Sequence, residues 1–143
     1  MQDEDGPPLG LEASSMTVVG STAASWGTGV AAARVTADSA TLSGSLFWSA
    51  AGTAVSVEAQ AVSLLRSTAV SEAPDGRALA ALSTGTTVDR SYLQGAYALF
   101  AAGSGLRLSG SVLASTTAAQ GYALLGSGAS DLRASSSTFV GAS

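Results

Sequence analysis

A short pattern that returns six times constrains this chain more than any single residue does. The string Leu-Ser-Gly-Ser occurs at Leu42 to Ser45 and again at Leu108 to Ser111. Anchored on the residue before its Ser, the pattern recurs at Gly20, Gly44, Arg66, Arg90, Gly110 and Ala134, with separations of 24, 22, 24, 20 and 24. Ser follows every anchor (Ser21, Ser45, Ser67, Ser91, Ser111, Ser135), and an aliphatic residue stands two before it (Val18, Leu42, Leu64, Val88, Leu108, Leu132). Internal repetition at such a period is the mark of a solenoid, in which each copy buries its apolar side only by stacking on its neighbours.

The apolar positions within a copy fix the kind of solenoid. Eleven and nine residues before the anchors lie Leu9 and Leu11, Ala33 and Val35, Val55 and Val57, Leu79 and Ala81, Leu99 and Ala101, then Ala123 and Leu125. A spacing of two is the strand period. Three before the anchors the residues are mostly polar: Thr17, Thr41, Ser63, Thr87, Arg107 and Asp131. Stretches such as Thr36-Ala37-Asp38-Ser39 and Ala102-Gly103-Ser104-Gly105 read as turns between strands. Variable length gathers past each anchor, where Ser71 to Gly76 is long and Gln94-Gly95-Ala96 short, as at a corner that absorbs insertions. Three short strands fill 20 to 24 residues and leave no room for a helix. The chain therefore reads as all-β, a single-stranded right-handed parallel β-helix of about six coils over 9–143, preceded by a disordered acidic tail or linker at 1–8. Leucine-rich repeats share the period but use a consensus Asn or Cys, and the chain has neither.

Ala40 to Leu46 (Ala-Thr-Leu-Ser-Gly-Ser-Leu) and Leu106 to Val112 (Leu-Arg-Leu-Ser-Gly-Ser-Val) resemble the repeats of bacterial right-handed β-helix proteins of the pectate-lyase-like superfamily. The likeness covers roughly Leu9 to Ser143. It implies that fold, and functions ranging from polysaccharide lyases and hydrolases to adhesins and structural spikes. A fold alone does not choose among them.

Composition narrows the choice. Ala, Ser, Gly and Thr number 29, 24, 17 and 13, while Lys, His, Cys, Ile and Asn are absent. Leu, Val and aromatic residues are spread evenly and charge is only 11%, which opposes disorder of the body. Without Cys there is no thiolate chemistry, and without His the commonest metal ligand and general base is missing. A net charge of −4 with six scattered Arg gives no basic surface for nucleic acid. No apolar run is long enough to span a membrane, and the opening lacks the basic start and apolar stretch of a signal peptide. Soluble behaviour is expected, of a chain that could be an excised piece.

Candidate sites divide into polar and apolar. The Ser column reads as a structural row in tight bends. Regular hydroxyls at Thr17, Thr41, Ser63 and Thr87 resemble an ice-binding array, a pattern that stops at Arg107 and Asp131. Carbohydrate-active members of the superfamily would need paired carboxylates with a basic residue, but Glu12, Asp38, Glu58, Glu72, Asp75, Asp89 and Asp131 supply no pair in one outward column of adjacent coils. Asp89 and Arg90 beside Arg66 read as an exposed ion pair, and Glu72 to Arg77 as a turn. No catalytic, cofactor or metal residue is assigned. The apolar candidate is sharper: if Ser and the third residue after each anchor alternate inward, Leu46, Trp48, Val70, Tyr92 and Val112 form an outward apolar face across consecutive coils, a candidate interface. The expected role is a non-catalytic structural or interaction segment of an extracellular or cell-surface assembly. It would act by self-association, as a homo-oligomer, or by docking to the rest of a longer chain. The alternatives are a fragment of a carbohydrate-active enzyme, and a glycan-binding module using Trp26, Trp48, Tyr97 and Tyr122.

Overall fold

The structure, a computed structural model, describes residues 9–117, 122–128 and 131–142. The acidic tail expected at 1–8 lies outside them. The first two coils each hold two strands, β1 (Leu9–Val19) and β2 (Thr22–Ser25), then β3 (Ala33–Ser43) and β4 (Leu46–Ser49). From the third coil onward there are three: β5 (Val55–Glu58), β6 (Ala61–Leu65) and β7 (Thr68–Ser71), then β8 (Arg77–Leu82), β9 (Gly85–Asp89) and β10 (Tyr92–Gly95). The fifth coil is β11 (Tyr97–Ala102), β12 (Gly105–Ser109) and β13 (Val112–Ser115), and the sixth β14 (Tyr122–Ser127), β15 (Asp131–Ser135) and β16 (Thr138–Val140).

All pairing is parallel between successive coils. A bent ten-stranded sheet runs β14-β11-β8-β5-β3-β6-β9-β12-β15 with β1 on β3, and a second sheet runs β16-β13-β10-β7-β4-β2. Six passes joined by five pairings make about five full turns of a parallel β-solenoid. The stretch 36–39, expected as a turn, stays extended within β3, where β1 pairs with it on both sides of the bend through Glu12↔Thr36 and Ser15↔Ser39. Coils 3 to 5 break at the same place, and in the fifth the break falls at Gly103, whose φ is +142° and where a Cβ would overlap the Ser83 carbonyl oxygen. The other corner absorbs length, with seven, five, five and one residues (26–32, 50–54, 72–76 and 96) after β2, β4, β7 and β10.

Side chains alternate about these strands. Leu42, Leu64, Val88 and Leu108 stack inward in one column, Val35, Val57, Ala81 and Ala101 in another, and Phe47, Ala69, Leu93 and Leu113 in a third. Small residues form a further column, Ala54, Ala78 and Ala98, all fully buried. The narrow coil thus explains the Ala-rich composition: three strands enclose a thin core that large side chains in every column would overfill.

The sixth copy lies two residues later than the repeat predicts. Ser109 pairs with Ser135, so the anchor is Ser136 and the Ser column continues at Ser137, not at Ala134 and Ser135. The residue beneath Leu108 is Ala134, with Leu132 beneath Leu106, and the outward column passes from Arg107 to Arg133 rather than to Asp131. Upstream, Leu124 and Gly126 continue the inward columns in place of Ala123 and Leu125. Apolar matching decides the register. It sets Phe139 beneath the buried Leu113, whereas the expected register would have put Ser137 there.

Candidate functional site

The anchors are left-handed corners. Gly20, Gly44, Arg66, Arg90, Gly110 and Ser136 have φ of +59°, +56°, +47°, +46°, +53° and +49°. A side chain in this region costs roughly 1–2 kcal/mol, which leaves Gly as the easy choice and makes Arg66, Arg90 and Ser136 strained exceptions. What holds each corner is the serine that follows it. The amides of Ser21, Ser45, Ser67, Ser91 and Ser111 each donate to the hydroxyl of the corresponding serine one coil on, at 3.2, 3.1, 3.2, 3.1 and 3.3 Å. Each hydroxyl in turn donates to the carbonyl two residues earlier, at 2.9 Å in Ser67, Ser91 and Ser111. Ser45, Ser67, Ser91 and Ser111 are buried, and among the described residues every buried side-chain nitrogen or oxygen has a partner. The column is a serine ladder along the solenoid.

A second buried serine column closes the other end of the same strands. Ser25, Ser49 and Ser71 are in register, and Ser115 continues the line after Gly95 interrupts it. Ser49, Ser71 and Ser115 donate to the Val30, Gly52 and Ala96 carbonyls, which lie in the same corner of the preceding coil. The sequence carries a signal for it that the anchor alignment passes over, a Ser-x-x-x-Ser spacing at 21/25, 45/49, 67/71 and 111/115. Gly95 stands in the fourth copy because a Cβ there would press on the backbone of Gly76, Ala78 and Tyr97, at the corner shortened to the single residue Ala96.

Between the two serine columns lies the outward face of the second sheet. Leu46, Thr68, Tyr92, Val112 and Thr138 make one row with Thr22, and Trp48, Val70, Gln94, Ala114 and Val140 the other with Ala24. The five residues Leu46, Trp48, Val70, Tyr92 and Val112 are brought together as the alternation predicts, with Leu46 43% and Tyr92 38% exposed and the other three half-buried. Trp26, 73% exposed, meets Trp48 edge-on with ring centroids 5.4 Å apart, and the Tyr92 hydroxyl donates to Gln94 Oε1 at 2.6 Å. Tyr97 and Tyr122 are elsewhere, stacked on each other in the bent sheet, where the Arg77 guanidinium lies 4.2 Å from the Phe100 ring.

The charged groups are dispersed. Asp89 accepts from the Ser109 hydroxyl at 2.5 Å and from Arg90 Nε at 2.9 Å, and these bonds, the serine's first, hold its carboxyl below the usual range. Arg90 is exposed and Asp89 half-buried. Glu12 and Glu58 share a column with Thr36 between them, and together with Asp38 and Gln60 they border a concave bend with adjoining hollows of about 500 and 540 Å³. Among the described residues no helix is long and apolar enough to cross a membrane.

Fold and ladder together define the chain as a parallel β-solenoid repeat protein. It matches no protein-family model, no curated protein and no solved structure.

Proposed function

We propose that the chain is a non-catalytic β-solenoid segment of an extracellular or surface assembly, working by self-association or by docking to further coils. A kinship with bacterial right-handed β-helix proteins of the pectate-lyase-like superfamily belongs to the same reading, supported by the three-strand coil and its parallel stacking. The observation that carries the proposal is the sixth coil. Leu132 and Phe139 occupy inward columns whose previous members, Leu106 and Leu113, are buried, yet they are 54% and 45% exposed. On this side, among the described residues, β14, β15 and β16 have no partner strand. Unpaired edges and apolar ends are what a further coil covers. Sedimentation over a wide concentration range tests this: species heavier than one chain are expected, diminished by Phe139→Glu. A single mass of one chain at every concentration, indifferent to that substitution, would overturn self-association.

A further inference from the structure

We infer that the outward face of the second sheet binds a neutral, linear, β-linked glycan laid along the solenoid axis. The inference is independent of the end-to-end contact above, which uses the unpaired edge of the last coil and not the outward face of the sheet.

Charge decides the class of ligand. None of β2, β4, β7, β10, β13 and β16 contains an Asp, Glu, Arg or Lys, although charged residues flank them at Arg66, Arg90 and Glu72. An acidic polysaccharide or a basic peptide would meet no counter-charge there. The face is not simply greasy either. Thr22 and Thr68 alternate with Leu46 and Tyr92 along one row, and Trp48 is followed two coils on by Gln94. With its oxygen engaged by Tyr92, the Gln94 amide offers two N–H donors. Sugar rings present this pairing themselves: an apolar face of C–H groups that packs on aromatic rings, and an equatorial rim of hydroxyls that hydrogen-bonds.

Spacing fits as well. From Thr22 to Tyr92 like residues recur every two coils, about 9.6 Å at the usual strand separation, close to the length of the two-sugar unit after which a β-linked chain repeats its orientation. Area argues against a second copy on this face. Four residues by six strands cover about 400 Å², so two copies would bury about 800 Å², under the roughly 1,200 Å² of stable specific interfaces. A linear oligosaccharide needs only such a strip.

Trp26 and Trp48 are the only tryptophans in the chain, so tryptophan fluorescence, excited selectively over tyrosine, reports on this face. Titrating the chain with cellohexaose, mannohexaose and chitohexaose, by fluorescence and calorimetry, is expected to show saturable binding of at least one. Tyr92→Ala and Trp48→Ala, each checked for an unchanged circular dichroism spectrum, are expected to weaken it at least tenfold, and a hexagalacturonate should not bind. Three results would overturn the proposal. They are no response to any neutral hexasaccharide, an affinity unmoved by Tyr92→Ala, and loss of a dimer on Trp48→Ala in a protein that binds no glycan.

Discussion

At the scale of single residues, a serine hydroxyl sets the cost of each turn of the solenoid. Ser91 is the clearest case: its hydroxyl accepts from the Ser67 amide, donates to the Asp89 carbonyl and lies 3.3 Å from the Leu64 carbonyl, all in a buried setting. Ser91→Ala leaves the Ser67 amide without its acceptor, and a buried group so orphaned costs about 1–3 kcal/mol. Ser21, at the first corner, is half-buried and only bonds back to Val19, so Ser21→Ala should cost a few tenths of that. Urea denaturation of the two variants checks the contrast, and equal losses would mean that the ladder does not carry the corners. The same arrangement explains how Arg66 and Arg90 are tolerated in a left-handed conformation: the serine after each fixes the bend whatever side chain precedes it.

At the scale of strands, the inward columns make each element depend on those above and below. Leu108 lies between Val88 and Ala134 and is almost fully buried, so Leu108→Asp places a carboxylate among aliphatic groups with nothing to pair it. A loss of about 4 kcal/mol or more is expected, enough to abolish the cooperative transition in a thermal melt. These columns are also what made the elements legible. Five copies could be aligned because Leu or Val before the corner and Ser after it recur together, and the outward rows Leu46, Trp48, Val70, Tyr92 and Val112 follow from strict alternation. The sixth copy resisted because Ser135-Ser136-Ser137 satisfies the Ser rule in two registers, and Leu132 mimics the column residue in the wrong one. Only the packing of Phe139 under Leu113, a contact between residues far apart in the chain, separates them. The extension of β3 through 36–39 was hidden for a similar reason: partner pairing on both sides of the bend, not local propensity, keeps Ala37 and Asp38 in the strand.

At the scale of the whole molecule, stability is close to a sum over coils and the interfaces between them. Coils 3 to 5 have two neighbours each, whereas the strands of the sixth are paired on one side only, and β15 and β16 are exposed along their length. Hydrogen exchange should therefore rank amides by coil, with those of β15 and β16 exchanging faster than their counterparts in β9 and β10. Uniform protection would show that the chain opens only as a unit. The serine ladder adds a direction to this stack. Every amide in it donates toward the higher-numbered coil, so the donor end and the acceptor end of a solenoid are chemically different. Two molecules joined in this register can meet only with unlike ends, and the joint leaves a fresh pair of unlike ends behind it. Such a contact does not close into a symmetric pair. Self-association through it would propagate with a polarity, so that preformed fragments would act as seeds and the two tips of a growing fibre would lengthen at different rates.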